Sequence, residues 1–265
     1  MDIEDGLALA LELSDIADAI TIDRFRAIDL VVETKPDLTP VTEADQAVER
    51  ALREHLAKRA PGHGVLGEEY GDEIGRGDYR WVIDPIDGTK SYVRGVPVWA
   101  TLVALEHRGF PVVGAVSAPA LGTRWWAGRG LGAFRDGTPI AVSRVRVLGD
   151  AQISFAWDTK ERFETNGIGD RMLELAHRCW RTRGFGDFWQ HTLVAEGAFD
   201  ISVDPIVSYW DAAALLPITE EAGGSWSTLT GDRTALPESL VCTNGLLHDA
   251  VIGALNPASH PTATP

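Results

Sequence analysis

The residues of this chain best suited to chemistry are carboxylates that follow short apolar runs. Asp84 and Asp87 stand three residues apart in the segment D-P-I-D-G-T, which begins directly after the apolar residues 81–83. Carboxylate oxygens are the ligands that hard cations such as Mg²⁺ prefer, and two on a tight turn can share such ions. Gly88 permits the turn and leaves the backbone N–H groups of Gly88 and Thr89 open to an anion. The whole motif therefore favours a metal and phosphate site over an aspartate-rich surface turn.

Three weaker acidic fragments accompany this motif. Glu68 follows a short apolar run, Asp211 follows a tryptophan, and Asp45 comes three residues after Thr42. Each fragment has a purely structural alternative: a solvated loop for Glu68, an N-capping residue for Asp211, and a capping box with Thr42 for Asp45. Taken singly, these fragments leave the choice between structure and function open.

The composition limits the classes of partner. The chain has 265 residues, of which 45% are hydrophobic and 24% charged, and its formal net charge is −15. This balance argues against nucleic acid, because phosphate backbones are bound by clustered Lys and Arg. If such an acidic protein binds a phosphate ester, we expect bound cations to offset the repulsion between the protein and the phosphate.

The termini and the cysteines bear on location. The N-terminus is acidic where a signal peptide would be basic, and no apolar run approaches membrane-spanning length. Cys179 and Cys242 are far apart and favour two reduced thiols over a disulfide. We therefore predict a soluble cytoplasmic protein with no membrane partner.

Helices and strands must position these residues, and apolar periodicity predicts them. A long amphipathic helix opens the chain, and a second helix runs from Thr42 to the break at Pro61-Gly62. The predicted strands cover residues 65–66, 80–83, 99–105, 111–117, 153–156 and 240–243, with Pro85 breaking the second of them. The later predicted helices cover residues 170–179, 187–196, 211–222 and 248–255.

Two details of the later helices carry alternatives. Asp187 is a plausible cap for the helix 187–196, and Pro217 should kink the helix 211–222 unless it falls in the first turns. Helices come first, then strands, then an alternation of both, which predicts layers of helix and sheet. We expect one domain of residues 1–255, arranged in two lobes, followed by a disordered tail of residues 256–265.

Taken together and in order, the four acidic segments resemble the inositol monophosphatase family, within the wider lithium-sensitive and fructose-bisphosphatase-like group. The resemblance covers nearly the whole chain, from Lys35 to Gly224, and its most specific part is residues 84–89. It implies an α/β fold (layered α+β), namely the α-β-α-β-α sandwich of that family. It also implies a Mg²⁺-dependent phosphomonoesterase with two or three ions per site, working as a homodimer.

The resemblance further implies which residues hold the metal ions. Glu68, Asp84 and the Ile86 carbonyl would bind one Mg²⁺, while Asp84, Asp87 and Asp211 would bind a second. Asp87 and Asp211 would also border the substrate. Two such ions polarise the phosphoryl group, lower the pKa of the attacking water and neutralise the leaving alkoxide.

The same resemblance implies the catalytic roles. Asp45 and Thr89 would position the attacking water, Glu68 would act beside them, and the N–H groups of Gly88 and Thr89 would hold the phosphate. Haloacid-dehalogenase-like phosphatases carry DxDGT with a nucleophilic aspartate, whereas this chain has DxxDGT, which disfavours a phosphoaspartate. An intact acidic set disfavours a non-catalytic relative, and the absence of a DxDxDG loop disfavours a calcium-binding module.

Two segments bear on the phosphate ester. Within the family, residues 33–42 and 183–190 look most like the histidinol-phosphate phosphatases of bacterial histidine synthesis. Histidinol phosphate carries an ammonium and an imidazole, whereas an inositol ring offers hydroxyl groups. The alternative is an inositol-1-phosphate phosphatase, or a phosphatase of the same family for another small phosphate.

Four residues are candidates for contacts with such a substrate. Asp187 and Asp204 would suit its cationic groups, Trp189 could give a flat apolar wall or a cation–π contact, and Arg183 could contact the phosphate. Each has a structural alternative: Asp187 as a cap, Trp189 as a core residue, and Arg183 as a structural or interface arginine. His191 is expected to be packed or exposed, because Mg²⁺ prefers oxygen ligands.

Overall fold

The computed structural model of the chain describes residues 1–36, 38–156 and 168–256. Its helices are α1 (Ile3–Arg24), α2 (Glu43–Arg59), α3 (Thr89–Val93), α4 (Ile168–Arg178), α5 (Asp187–Ala195), α6 (Tyr209–Ala213), α7 (Leu215–Glu221) and α8 (His248–Leu255). Its strands are β1 (Val32–Thr34), β2 (Pro40–Thr42), β3 (Gly64–Gly67), β4 (Gly71–Glu73), β5 (Tyr79–Asp87), β6 (Ala100–His107), β7 (Phe110–Ala118), β8 (Thr123–Gly128), β9 (Gly132–Arg135), β10 (Thr138–Pro139), β11 (Gln152–Phe155), β12 (Arg181–Arg183), β13 (Ile201–Asp204), β14 (Ser225–Ser227) and β15 (Leu240–Thr243).

Two large sheets organise these elements. The first has the order β10-β9-β8-β7-β6-β5-β3-β4 and is antiparallel except where β3 runs parallel to β5. The second has the order β12-β11-β13-β15-β14, and β11 runs parallel to both of its neighbours. Strands β1 and β2 form a separate two-stranded sheet next to the start of α2.

Helices cover both sheets and fill the space between them. Helices α1 and α2 pack on one face of the eight-stranded sheet, and α5, α6 and α7 lie between the two sheets. Helices α4 and α8 pack on the outer face of the five-stranded sheet. The order of layers is thus α-β-α-β-α, which confirms the layered sandwich expected from the sequence.

The central strands are buried on both faces, because each face has its own helical cover. Along β5 and β6, side chains alternate between the two cores with the period of two that a strand imposes. Trp81 and Val103 pack toward α1 and α2, whereas Val82 and Leu102 pack toward the middle layer. This arrangement explains why the strand before the acidic motif reads as continuously apolar.

Strand β5 continues past Pro85, so the prediction that this proline breaks the strand is wrong. The pairing of β5 with β6 shifts register between Asp84 and Asp87, and Pro85 lies within that irregularity, where no ladder N–H is needed. The hydroxyl of Thr101 on β6 donates to the Pro85 carbonyl at 2.7 Å and ties the bulge to the sheet. The two aspartates are therefore held on a strand end and not on a loose loop.

The segment predicted as one helix over residues 211–222 forms two helices, α6 and α7. Helix α6 begins earlier, with Ser208 as its N-cap, and the chain changes direction at Ala214. Pro217 is the third residue of α7, in the first turn, where the missing N–H leaves no helical hydrogen bond unmade. The alternative in which Pro217 lies in the first turns is the correct one.

Parts of the predicted tail and of the loop after β1 are not among the described residues. Residues 257–265 of the predicted tail lie outside the described residues, as does Asp37 in the loop after β1. The assignment of residues 1–255 to a single domain stays a prediction. Over the described parts of the chain, none of the helices has the length and apolar character needed to cross a bilayer.

Candidate active site

The D-P-I-D-G-T segment forms a tight turn where β5 ends and α3 begins. Asp84 accepts a hydrogen bond on Oδ1 from the N–H of Ile86 at 3.0 Å, which folds the turn back on itself. Gly88 then adopts a left-handed conformation with φ 85° and serves as the N-cap of α3. A β-carbon at Gly88 would lie 3.1 Å from the Val98 carbonyl oxygen, so both conformation and space require glycine there.

Three carboxylates meet beside this turn. Asp84, Asp87 and Asp211 each offer one oxygen, and these oxygens lie within 4.8 Å of one another. Burial raises the pKa of Asp84 and of Asp87 well above the usual range, and neighbouring carboxylates add to the effect. Burial likewise raises the pKa of Asp211 to about 7. Three buried carboxylates repel one another unless protons or a cation lie among them.

Backbone N–H groups bind one carboxylate oxygen of Asp87 and one of Asp211. Asp211 Oδ2 accepts from the N–H of Ser208 at 2.8 Å, which completes a capping box at the start of α6. Asp87 Oδ2 accepts from the N–H of Phe188 at 2.6 Å, which joins the turn to α5. Ser208 is the N-cap of α6 and Asp211 is the third helical residue, so the alternative of Asp211 as the N-capping residue is wrong.

At the start of α2, the two carboxylate oxygens of Asp45 have different partners. Its Oδ2 accepts from the N–H and the hydroxyl of Thr42 at 2.8 and 2.5 Å, so the capping box exists. Its Oδ1 faces the hydroxyl of Thr89 at 3.3 Å. Burial raises the pKa of Asp45 to about 6, against hydrogen bonds from Thr42 that lower it. Asp45 is thus a buried carboxylate that can take up a proton near neutral pH.

Glu68 lines the same cavity but stands outside the group of three. Its Oε1 accepts from Lys35 Nζ at 2.7 Å, and the same ammonium lies 2.6 Å from Glu69 Oε1. The charge of Glu68 nevertheless reaches the cluster, since it helps to raise the pKa of Asp84. Lys35 therefore places a positive charge beside Glu68 and Glu69, and Lys90 also lines the cavity.

The acidic cluster opens into a cavity of about 710 Å³. Besides the three clustered carboxylates, its lining includes Asp187, Asp204 and the aromatic residue Phe185. Asp204 ends strand β13, and its Oδ1 accepts from the N–H of Ile206 at 3.2 Å. The charges of Asp187 and Asp204 both help to raise the pKa of Asp87. The cavity is thus lined by acidic groups beyond the cluster itself.

Asp187 does not cap α5, so the capping alternative for it is wrong. Gly186 occupies the N-cap position, and Asp187 is the first helical residue with φ 47°. An aspartate tolerates this left-handed conformation better than most residues, at a modest cost in energy. A β-carbon built on Gly88 would lie 3.3 Å from Asp187 Oδ2, which shows that this carboxylate reaches the turn between β5 and α3.

Arg183 and Trp189 lie outside the lining of the cavity, whereas His191 belongs to it. Arg183 is exposed on the edge strand β12, where its Nη1 donates to the Thr182 carbonyl at 2.7 Å. Trp189 packs against Phe185, with ring centroids 4.9 Å apart, and Phe185 is the residue that lines the cavity. The assignments of Arg183 and Trp189 to the substrate stay predictions.

His191 is packed, as expected. It is buried, its Nδ1 lies 2.9 Å from Ser202 Oγ, and burial lowers its pKa to about 3. A histidine with so low a pKa is neutral at physiological pH and adds no charge to the cavity.

The donor set fits a hard divalent cation. The cluster consists of carboxylate oxygens from Asp84, Asp87 and Asp211, and no described His or Cys joins it. Oxygen ligands of this kind suit Mg²⁺. The mutual repulsion of three buried carboxylates supplies the second reason, because a cation would relieve it.

Comparison with known proteins decides the family. Residues 2–260 match the model of the inositol monophosphatase family. This chain belongs to that family.

Among individual members of the inositol monophosphatase family, two bacterial relatives share half of the sequence. The chain is 50% identical to a protein of Streptomyces coelicolor over 96% of this chain and 98% of that one. It is 51% identical to a protein of Mycobacterium tuberculosis over 95% and 98%. Both relatives are named histidinol-phosphatase. A solved structure of an IMPase from Thermotoga maritima superimposes with a TM-score of 0.85 at 30% identity, covering 96% of this chain and 97% of that one.

Lys35 and Phe185 are among the cavity residues that the sequence reasoning missed. Lys35 and Phe185 both lie in segments that point to the family, yet neither was given a role. Lys35 could have been singled out as a lysine directly before a proline in a strongly acidic chain. Phe185 carries no local signal, since only the packing of Trp189 behind it shows which of the two rings faces the cavity.

Proposed function

We propose that this chain is a phosphoric monoester hydrolase that converts L-histidinol phosphate to L-histidinol and phosphate. The observation that carries the proposal is the sequence identity of 50% and 51%, over nearly the full length, to two proteins named histidinol-phosphatase. The acidic lining of the cavity supports it, because Asp187 and Asp204 offer partners for the ammonium and the imidazole of that substrate. Hydrolysis of inositol 1-phosphate is the alternative within the family.

We propose that Glu68, Asp84, Asp87, Asp211 and the Ile86 carbonyl hold Mg²⁺. When bound, the cation supplies Lewis-acid polarisation of the phosphoryl group, a lowered pKa of the attacking water and charge neutralisation at the leaving oxygen. The residues themselves supply rigid placement, since backbone N–H groups fix one oxygen of Asp84, Asp87 and Asp211. The net charge of −15 makes a cation necessary before a phosphate dianion can approach.

The attacking water is oriented by Thr89 and Asp45 in this proposal. The hydroxyl of Thr89 has one proton, which it can donate to Asp45 Oδ1 at 3.3 Å or to the Ile86 carbonyl at 2.9 Å. When it donates to Asp45, its lone pairs accept a proton from water, and Asp45 stands ready as the final acceptor. No protein atom attacks phosphorus, so no covalent intermediate forms.

The phosphate and the leaving group occupy opposite parts of the cavity. The N–H groups of Gly88 and Thr89 at the start of α3 would hold phosphate oxygens, since no side chain caps that helix. The leaving alcohol would extend toward Asp187, Asp204 and Phe185, with Trp189 behind the ring of Phe185. Arg183 lies on the exposed edge strand β12. A homodimer and a cytoplasmic location stay predictions of the family resemblance.

We expect Asp204→Asn to reduce kcat/KM for histidinol phosphate by roughly 10- to 150-fold. The substitution removes one charge-assisted hydrogen bond to a cationic group, which is worth about 1.5–3 kcal/mol. Hydrolysis of p-nitrophenyl phosphate should stay nearly unchanged, because that ester carries no cationic group. The measurement is phosphate release from both esters by the wild type and the variant.

Asp150→Asn is a matched control, since Asp150 is exposed before β11 and does not line the cavity. Equal loss on both esters would show that Asp204 supports the metal site or the fold. A wild-type preference for inositol 1-phosphate over histidinol phosphate would return the assignment to the alternative.

We expect the stabilisation of the chain by Mg²⁺ to grow between about pH 6 and about pH 8. Asp211 has a folded pKa of about 7, above the unfolded value near ~4. Between the two values the folded chain holds a proton that the unfolded chain has lost, so without metal this group makes the fold less stable as pH rises. Mg²⁺ must displace that proton, and it does so most easily at high pH.

The measurement is the difference in Tm with Mg²⁺ and with EDTA at the two pH values. One displaced proton per pH unit corresponds to about 1.4 kcal/mol, or about 3–5 °C for a chain of this size. The low pKa of His191 makes the stability change with pH in the opposite direction. This effect is the same with Mg²⁺ and with EDTA and cancels in the difference, since His191 is not one of the proposed ligands. A gain in Tm that is equal at both pH values, or larger at the lower one, contradicts the expectation.

A further inference from the structure

A second buried carboxylate lies on α2, one turn after Asp45. Glu49 is completely shielded from solvent, and it lies outside the lining of the cavity. Its Oε2 accepts from the N–H of Glu69 at 2.7 Å, and its Oε1 accepts from the N–H of Tyr70 at 3.1 Å. Glu49 therefore grips the backbone immediately after Glu68.

The neighbouring glycine makes this grip possible. A β-carbon built on Gly67 would lie 2.1 Å from Glu49 Oε1 and 2.3 Å from its carboxyl carbon. Only a residue without a side chain lets the carboxylate approach the loop so closely. Glycine before Glu68 is thus explained by Glu49, because the carboxylate occupies the space of a side chain.

Arg53 balances the buried charge from the next turn of α2. Its Nε donates to Glu49 Oε1 at 2.8 Å, and its Nη2 donates to the Gly71 carbonyl at 2.5 Å. Glu49 thus receives two backbone N–H groups and one guanidinium, which together meet the requirement that a buried carboxylate be fully hydrogen-bonded. The pair also connects α2 to the start of β4.

We infer that Glu49 is a positioning residue for Glu68, one that sets the conformation of residues 67–70 for binding Mg²⁺. The inference rests on the proposed function, in which Glu68 is a ligand of that cation. Asp45 and Glu49 are four residues apart and hence on one face of α2. A single helix therefore positions both the proton acceptor and the loop of a metal ligand.

The test compares Glu49→Gln with Glu54→Gln. Glutamine keeps the size of the side chain but has one acceptor oxygen, so its NH₂ group must face either the N–H of Glu69 or the N–H of Tyr70 together with Arg53. Glu54 is exposed on the same helix and serves as the matched control. Binding of MgCl₂ alone is measured by titration calorimetry on the intact chain, and hydrogen exchange of residues 67–70 is measured in EDTA.

We expect Glu49→Gln to weaken Mg²⁺ binding by about 10- to 100-fold, which is typical for loss of a group that orients a ligand. The amides of Glu69 and Tyr70 should exchange faster in this variant without metal, while Glu54→Gln matches the wild type in both measurements. Should Glu49→Gln fail to fold, Glu49→Asp provides the second variant, because it keeps the charge that Arg53 balances but shortens the side chain that reaches the N–H groups of Glu69 and Tyr70.

The outcomes separate this inference from the proposed function. Wild-type Mg²⁺ affinity in Glu49→Gln, or in Glu49→Asp where that variant is needed, overturns the role of Glu49 and leaves the metal mechanism standing. Absence of Mg²⁺ binding in the wild type overturns both. Weakened binding with unchanged exchange at residues 69 and 70 also overturns the inference, since the loop would then keep its conformation without Glu49.

Discussion

Replacement of Asp84 by Asn is expected to lower kcat by at least about 10³-fold while the fold stays intact. Asp84 lies in the cluster with Asp87 and Asp211, and it is the ligand that the family resemblance assigns to both metal ions. Metal polarisation of a phosphoryl group is worth several kcal/mol, and each 1.36 kcal/mol corresponds to about tenfold in rate. The loss should appear with histidinol phosphate and with p-nitrophenyl phosphate alike.

The fold of this variant can be checked without metal. Asparagine has the size of aspartate but no charge to bury, and burial is the main reason for the raised pKa of Asp84. The Tm of Asp84→Asn in EDTA should therefore equal or exceed that of the wild type at neutral pH. Asp78→Asn is the control, since Asp78 is exposed just before β5. Full activity of Asp84→Asn, or of the wild type in EDTA, would refute the metal mechanism.

Thr89→Ala is expected to lower kcat by roughly 10²-fold or more, because it removes the hydroxyl that joins the attacking water to Asp45. General acid–base contributions of this kind are typically about 10²–10⁴-fold. Alanine keeps the backbone N–H of residue 89, so the affinity for substrate should change much less than the rate. Single-turnover measurements at saturating substrate and Mg²⁺ isolate this chemical step.

Thr89→Ser is the matched variant, since it keeps the hydroxyl and loses only a methyl group. We expect it to stay within about tenfold of the wild type, well above Thr89→Ala. Equal losses in the alanine and serine variants would contradict the role of the hydroxyl and point to packing of the methyl group. A phosphoaspartate trapped by rapid quenching and found by mass spectrometry would contradict attack by water altogether.

The layered fold could be predicted from the sequence, because its periodic patterns are strong. The hairpin of β6 and β7 and the helix α8 follow the predicted bounds closely. The error at Pro85 arose because a bulge lets a strand continue without the N–H that proline lacks. The error over residues 211–222 arose because Ser208, and not Asp211, caps α6.

The candidate site could be predicted in its members but not in its geometry. For Asp45 and Asp211 the sequence left a choice between a capping role and a site role; the structure places each in a capping box, with Asp45 Oδ1 near Thr89 and Asp211 in the group of three carboxylates. The ion pair of Lys35 with Glu68 joins residues 33 positions apart, which no local pattern reveals. The contacts of Glu49 with Glu69 and Tyr70 are likewise long-range in sequence.

Residue types at short spacings, together with the net charge, are enough to predict the family, the acidic motif and a cation site. Which carboxylates meet, which ring faces the cavity and which glutamate contacts the backbone after Glu68 become visible only in the folded chain. The physical reason is that burial and approach distance set the pKa of a carboxylate and its partners. Both quantities arise when β5, α2, α5 and α6 pack together, and no stretch of sequence contains them alone.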